Sequence, residues 1–215
     1  MKRIYAIPGL GTTAALYNFI KVKDVKLKVI NWPEFSKDET MQTYAAKIAT
    51  QIDDSEPFYL MGVSYGGMLC TEISLIKDPV KTILISSCEN SKEFPWTLRF
   101  FQYFPIHKLV TDKMFRSMAR SAKWVLGFRN EYKSDFYKMV TEMPSGYFKS
   151  SINSIVGWKR QGGAKNSVRI HGDKDKLLWY SALKKNIDHT ISGGSHSMVL
   201  DKAEEINRIL EQIIK

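Results

Sequence analysis

Residues 58–66 read FYLMGVSYG, an apolar run followed by a Gly-x-Ser-x-Gly motif centred on Ser64. A helix-like stretch, Met68–Ile76, comes next. A strand that turns sharply into a helix exposes a serine hydroxyl for nucleophilic attack, and glycines on either side permit the turn because they have no Cβ. By chance alone the motif occurs in roughly one chain in fifteen of this length. The prediction of a nucleophile therefore depends on finding its partners elsewhere in the chain.

Strand-like and helix-like patterns alternate along the chain. Six segments rich in β-branched residues predict strands, the last of them more weakly: Arg3–Ile7, Lys26–Asn31, Phe58–Val63, Thr82–Ser86, Ser167–His171 and Asp188–Ser192. Apolar residues at helical spacing predict helices at Met41–Gln51, Met68–Lys77, Trp179–Lys185 and Lys202–Ile214. Continuous apolar strands that alternate with helices are typical of a parallel sheet covered on both faces. The expected fold class is therefore α/β.

Length and composition favour one globular domain. The chain has 215 residues, of which 44% are hydrophobic, so it can form a substantial core. It contains no run of about 18 apolar residues, so no membrane span is expected, and the apolar stretch Ile4–Ile7 is too short for a signal peptide. Cys70 and Cys88 match neither a disulfide framework nor a metal site. We therefore expect a cytoplasmic protein with reduced thiols and no metal.

The segment between the fourth and fifth predicted strands differs from the rest of the chain. Residues 96–165 carry 13 basic and 4 acidic side chains, which is +9 of the net charge of +10, and 14 of the 26 aromatic residues. Prolines and glycines separate four candidate helices: Pro95–Phe104, His107–Leu126, Ser134–Glu142 and Tyr147–Arg160. We interpret residues 88–165 as an all-helical insertion into a core formed by residues 1–87 and 166–215.

Ligands of open parallel sheets bind beyond the carboxyl ends of the strands, so the residues after each strand are the candidates for a site. After the first strand, residues 8–14 contain Gly-x-Gly-x-x-Ala, which fits a dinucleotide-binding turn, a loop that presents the amide of Leu10 to an oxyanion, or a plain tight turn. A dinucleotide site needs an acid at the tip of the second strand, but Glu34 lies beyond a proline. After the third strand, Ser64 is the candidate nucleophile, with the Tyr65 N–H as a second oxyanion donor. The alternative role for Ser64 is to cap the following helix.

The loops after the last two strands supply an acid and a histidine. Asp173 and Asp175 both follow the fifth strand, and Asp175 is favoured as the acid that orients a histidine, because Asp173 directly after Gly172 suits an Asx turn. Glu89, beyond the fourth strand, is a further alternative. Only His196 is predicted on a loop at the functional edge of the sheet. The other histidines are expected on a solvated helix (His107), packed within the fifth strand (His171) and at the opposite end of the sheet (His189).

The order of Ser64, Asp175 and His196 along the chain is the one that a nucleophile-elbow architecture requires. Through the motifs PGLG, GVSYGG, HGDKDK and GGSH, the chain resembles the α/β-hydrolase superfamily over about two-thirds of its length. The chain starts at what resembles that family's third strand, so the resemblance implies a sheet of about six strands in the order 2-1-3-4-5-6, with residues 88–165 in the position of the variable cap. The His-Gly that commonly precedes the oxyanion residue is Pro8-Gly9 here.

The resemblance implies hydrolysis of an ester or related acyl bond. A Ser-His-Asp triad would form an acyl-enzyme, with the amides of Leu10 and Tyr65 as oxyanion donors and with no metal or organic cofactor. The same fold and triad serve thioesterases, C–C bond hydrolases and haloperoxidases, whereas a dehalogenase would need an aspartate at the position of Ser64. The alternative outside the enzymes is a binding protein with a hydrolase-like pocket.

The basic insertion leaves the substrate open. Its charges form either a solvated face or a surface that attracts anionic acyl substrates or an acidic membrane. Aromatic residues in such a segment are more often part of a core than of a substrate site, so a core position is favoured for Phe100, Phe101, Phe104, Trp124 and Phe128. No groove-reading motif accompanies them, so a nucleic-acid partner is not expected. We expect a small-molecule acyl substrate, and the sequence does not determine the oligomeric state.

Overall fold

The centre of the protein is a parallel β-sheet. The structure, a computed structural model, describes residues 1–36 and 38–215. Six strands of this part of the chain form the sheet: β1 (Lys2–Ile7), β2 (Val25–Val29), β3 (Phe58–Val63), β4 (Thr82–Ile85), β5 (Ser167–Gly172) and β6 (His189–Ile191). They lie in the order β2-β1-β3-β4-β5-β6, and each neighbouring pair is parallel. The predicted fold class and strand order are confirmed.

Side chains of the central strands point alternately to the two faces of the sheet and divide the core into two layers. In β1, Ile4 and Ala6 belong to one layer, and Tyr5 and Ile7 belong to the other. All six residues of β3 are buried, as expected for a strand that is covered on both faces. This burial fixes the carboxyl end of β3, from which the Ser64 turn leaves the sheet.

Ten α-helices lie in the described residues, and they are short. They are α1 (Met41–Ala49), α2 (Tyr65–Ile76), α3 (Trp96–Tyr103), α4 (Asp112–Met118), α5 (Lys123–Leu126), α6 (Lys133–Glu142), α7 (Tyr147–Gly157), α8 (Tyr180–Leu183), α9 (Met198–Asp201) and α10 (Ala203–Ile213). Within this part of the chain, none combines the length and the apolarity needed to cross a bilayer. Helix α2 starts three residues before its predicted start, because the turn at Ser64 leads directly into it.

The regular elements between β4 and β5 are all helical among the described residues. The predicted helix His107–Leu126 is divided into a 3₁₀ turn (Ile106–Leu109), α4, a second 3₁₀ turn (Ala119–Ser121) and α5. The first break occurs where the Thr111 side chain accepts the N–H of Met114 and starts α4 as its N-cap. Apolar residues of the segment pack into the same core layer as Ile4: Phe128, Phe136, Met139, Val140 and Phe148.

Candidate active site

Ser64 occupies a strained turn between β3 and α2. Its φ is 53° and its ψ is −119°, a left-handed conformation that is rare for a residue with a side chain. The turn is possible because Gly62 and Gly66 approach backbone so closely that a Cβ on either would collide with it. The side chain of Ser64 makes no capping bond to α2. The hydroxyl therefore points to other partners.

His196, on the loop after β6, is the partner of that hydroxyl. Its Nε2 lies 2.9 Å from Oγ of Ser64, and its Nδ1 lies 2.8 Å from Oδ2 of Asp175. His196 is buried, with 4% of the residue's surface exposed. The three side chains, which are far apart in the sequence, thus form one continuous line of hydrogen bonds at the carboxyl edge of the sheet.

The two candidate acids after β5 have different partners. Oδ1 of Asp175 accepts the N–H groups of Leu177 and Leu178 at 2.8 and 2.9 Å, which leaves Oδ2 directed at His196. Oδ1 of Asp173 accepts the N–H of Gly193 at 2.8 Å and so joins the loop after β5 to the loop after β6. Asp173 therefore holds the frame of the site, while Asp175 touches the histidine.

Charge and hydrogen bonding keep Asp175 ionised. Burial by itself raises the pKa of this carboxyl, but the attraction of His196 and the hydrogen bonds from His171 and His196 outweigh burial, so the pKa lies well below its usual range. An ionised acid beside Nδ1 favours the imidazole tautomer with its proton on that nitrogen, which leaves Nε2 free to accept a proton from Ser64.

The remaining candidates lie in other environments. Glu89 faces the guanidinium of Arg169, with a distance of 3.7 Å between Oε2 and Nη1. His171 is buried in β5 as expected, and its Nε2 lies 2.8 Å from the carbonyl oxygen of Leu178. The same nitrogen also lies 3.2 Å from Oδ2 of Asp175, a contact that was not predicted from the sequence. The signal for it was the four-residue spacing within the motif HGDKD.

Leu10 and Tyr65 lie on two turns that meet beside Ser64. A Cβ placed on Gly9 would be 3.7 Å from Cβ of Ser64, which shows how closely the loop after β1 approaches the elbow. Tyr65 is the first residue of α2, and the first amides of a helix have no acceptor within it. Further along α2, by contrast, the amides of Gly67 and Met68 both donate to the carbonyl oxygen of Ser64.

Helices of the segment between β4 and β5 contact two loops of the site. The N–H of Ser197 donates to the carbonyl oxygen of Leu126, 3.0 Å away, and a Cβ on Gly127 would collide with the side chain of Ser195. On the other side, a Cβ on Gly11 would lie 2.9 Å from the ring of Phe148 in α7. The loop of His196 and the loop of Leu10 are therefore both bordered by this segment.

An aromatic cluster that was not predicted from the sequence adjoins the elbow. The indole of Trp32 lies over Tyr65, with 5.8 Å between ring centroids, and tilts against Tyr147, 5.5 Å away. Its Nε1 donates to the carbonyl oxygen of Thr12 at 2.8 Å, which fixes it to the loop after β1. Trp32 follows β2, so its position after a strand was the available signal.

Both cysteines belong to the hydrophobic core. Cys70 and Cys88 are free and buried, and burial raises the pKa of each thiol. In residues 1–36 and 38–215, no three His, Cys, Asp or Glu side chains are grouped as metal ligands would be.

Comparison with known proteins identifies the fold. No family model matches the chain, and no curated protein matches its sequence. Solved structures do match. An esterase from Thermogutta terrifontis has a TM-score of 0.76 at 12% identity, over 100% of this chain and 89% of its own. An esterase from Exiguobacterium antarcticum has a TM-score of 0.72 at 13% identity, over 100% and 92%. The thioesterase domain from the curacin biosynthetic pathway has a TM-score of 0.62 at 16% identity, over 97% and 90%. The chain has the α/β-hydrolase fold.

Proposed function

We propose that the protein is a serine hydrolase that cleaves a carboxylic ester or a related acyl bond. The observation that carries the proposal is the line from Ser64 Oγ through the His196 imidazole to Asp175 Oδ2, with contacts of 2.9 and 2.8 Å. A hydroxyl at hydrogen-bond distance from an imidazole that a carboxylate orients is the arrangement that activates serine as a nucleophile. Ser64 is the nucleophile, His196 the general base and acid, and Asp175 the orienting acid.

In the first half of the reaction, Oγ of Ser64 bonds to the acyl carbon while its proton passes to Nε2 of His196. The carbonyl oxygen becomes an oxyanion, which accepts hydrogen bonds from the amides of Leu10 and Tyr65. The intermediate then collapses, the bond to the leaving oxygen breaks, and that oxygen takes the proton from His196. An acyl group remains on Ser64.

In the second half, a water molecule gives a proton to Nε2 of His196 as its oxygen bonds to the acyl carbon. Collapse of this second intermediate breaks the bond to Oγ of Ser64, which recovers the proton. The carboxylic acid is released and the enzyme returns to its first state. The ionised Asp175 stabilises the imidazolium that exists during both halves.

Hydrolysis of short p-nitrophenyl esters tests this assignment. Ser64→Ala and His196→Ala should each lower kcat by at least about a thousandfold. Two matched controls are Ser181→Ala, an exposed serine on α8, and His189→Ala, on β6. Both should keep turnover close to that of the wild type. Wild-type turnover in either site variant would overturn the proposal.

Labelling with a fluorophosphonate separates an enzyme from a binding protein that keeps the same fold. The probe reacts with an activated serine and forms a covalent adduct, which intact-mass and peptide analysis locate. We expect one adduct, on Ser64, that is absent from the His196→Ala variant. Ligand binding without such an adduct would favour the binding protein.

A thioester is the second candidate substrate, and the positive charge of residues 96–165 supports it. We propose that residues 88–165 act as a cap over the site. Within this cap, residues 96–165 carry a net charge of +9, which attracts anionic acyl donors such as acyl-CoA-like thioesters. A substrate panel should then show kcat/KM for anionic thioesters falling steeply with salt, while kcat/KM for neutral esters stays constant. If kcat/KM responded equally to salt for both kinds of substrate, the basic residues would instead form a solvated face with no role in attracting the substrate.

A further inference from the structure

Large apolar side chains are exposed over one short part of the chain. Ten lie within residues 96–125, and we call this set the outer face: Trp96, Phe100, Tyr103, Phe104, Ile106, Leu109, Met114, Met118, Trp124 and Val125. Exposure reaches 80% for Tyr103, 78% for Leu109 and 73% for Trp124. Single exposed apolar residues are ordinary on a protein surface, but a concentration of them marks an interaction site.

The outer face is formed by helices whose other sides are already packed. In α3, Trp96, Phe100 and Tyr103 follow one another at helical spacing and point outwards, whereas Gln102 donates to the carbonyl oxygen of Val156 at 3.1 Å. Helix α3, the 3₁₀ turn Ile106–Leu109 and α4 all contact α7. All three elements therefore pack against the same helix.

Helix α4 repeats this division between an outer and an inner side. Met114 and Met118 are one turn apart and exposed, while the guanidinium of Arg116 donates to the carbonyl oxygens of Val140 and Thr141 at the end of α6. Repacking the segment inwards would break these bonds. The outer apolar groups therefore stay exposed while the inner side remains bonded.

Charge indicates the nature of that partner. By sequence, residues 96–125 contain six basic residues and one acidic residue, Asp112. The guanidinium of Arg116 lies on the inner side of α4, which leaves five basic residues against that one acid. The carboxylate of Asp112 is occupied by the N–H groups of Gly146 and Lys149. Two copies of this face would repel each other, whereas a negatively charged surface would attract it.

We propose that the outer face docks the protein on an anionic lipid surface. Exposed Trp, Tyr, Phe and Leu side chains beside lysine and arginine are the combination that enters the interfacial zone of a bilayer while the cations contact lipid phosphates. Docking is peripheral and reversible. It does not depend on the proposed function, because none of these side chains belongs to the line of Ser64, His196 and Asp175.

Vesicle co-sedimentation of the full chain tests the proposal. The wild type and Ser64→Ala should both bind vesicles of phosphatidylcholine mixed with phosphatidylglycerol, and should bind at least about tenfold more weakly to phosphatidylcholine alone or in high salt. Replacing Tyr103, Phe104, Leu109 and Met118 together by serine should weaken binding by at least about tenfold. A matched control is Leu75→Ser/Ile76→Ser, which removes exposed apolar groups at the end of α2 and should leave binding unchanged.

Circular dichroism and thermal unfolding show that the variants keep their fold. Absence of vesicle binding by the wild type would overturn the proposal, as would equal binding to neutral and anionic vesicles. The competing possibility is that a second copy of the chain covers the outer face, and sedimentation velocity tests it by measuring the oligomeric state. A wild-type dimer that the fourfold serine variant converts to a monomer, without vesicle binding, would assign the outer face to self-association instead.

Discussion

Nε2 of His171 lies 3.2 Å from Oδ2 of Asp175, the same oxygen that Nδ1 of His196 contacts at 2.8 Å. The carbonyl oxygen of Leu178 is also 2.8 Å from Nε2 of His171. Since both neighbours of this nitrogen are acceptors, Nε2 carries the proton and donates it to both. His171 thus restrains the carboxylate that contacts His196, and in the proposed reaction it is a positioning residue.

Substitution of His171 should lower turnover rather than substrate binding. We expect His171→Phe to reduce kcat on p-nitrophenyl esters by about tenfold, because Asp175 loses one of its donors and its orientation. His171→Gln keeps a side-chain N–H and should recover most of kcat, with KM unchanged in both variants. A purely structural role predicts instead that activity follows the melting temperature, so thermal unfolding of both variants is the control.

Substitution of each of the two aspartates that follow β5, one at a time, should separate their roles. Asp175→Asn should lower kcat by about a thousandfold to ten-thousandfold, because the asparagine amide cannot hold the imidazole in the required tautomer and charge state. Asp173→Asn should keep kcat within about tenfold and cost about 1 kcal/mol of unfolding free energy, because it weakens the bond from the Gly193 N–H. The reverse result, a larger loss of kcat in Asp173→Asn, would exchange the assignments.

Acid should destabilise the protein partly through Asp175. Its pKa is lowered in the folded state, so the folded protein binds fewer protons than the unfolded chain, and the resulting stability is present above the unfolded pKa of about 3.9. That contribution is lost as the pH falls below about 4 towards the lower folded pKa. Urea midpoints measured as the pH is lowered should therefore decrease more in the wild type than in Asp175→Asn. Asp173→Asn retains Asp175 and should follow the wild type.

A matched pair of glycines tests the contact between the helical segment and the loop of His196. Gly127 and Gly146 have similar φ values of 81° and 79°, but a Cβ on Gly127 meets the side chain of Ser195, whereas one on Gly146 meets nothing within 4 Å. Both alanine variants should lose about 1 kcal/mol or more of unfolding free energy from backbone strain. Only Gly127→Ala should also displace His196 and lower kcat by at least about tenfold. Equal kcat in the two variants would contradict this coupling.

The sheet was predictable because each strand carries its own local signal. Apolar β-branched runs such as Thr82–Ile85 are followed by turns, and the right-handed connections leave few possible strand orders. Ser64, Asp175 and His196 could be selected as candidates since each lies in the segment that follows a strand, where parallel sheets place their ligands. The convergence of these three side chains is thus a consequence of topology rather than of local sequence.

The helical segment was less predictable because its elements depend on distant partners. The interpretation of its aromatic residues as core holds for Phe128, but Phe100, Phe104 and Trp124 are exposed. Periodicity shows which residues share a face of a helix and does not show what covers that face. The contact of His171 with Asp175 was missed for a related reason, since the turn after β5 brings the two side chains together.

The left-handed backbone of Ser64, the proposed nucleophile, sets the stability of the fold against the proposed activity. A glycine at this position would adopt a φ of 53° without strain and should make the folded protein more stable, yet it would remove the hydroxyl that faces His196. Directed evolution for heat resistance alone would therefore favour a glycine at this position, and the resulting protein should lack ester turnover. Engineering of this chain for durability needs a screen for ester turnover alongside the screen for melting temperature.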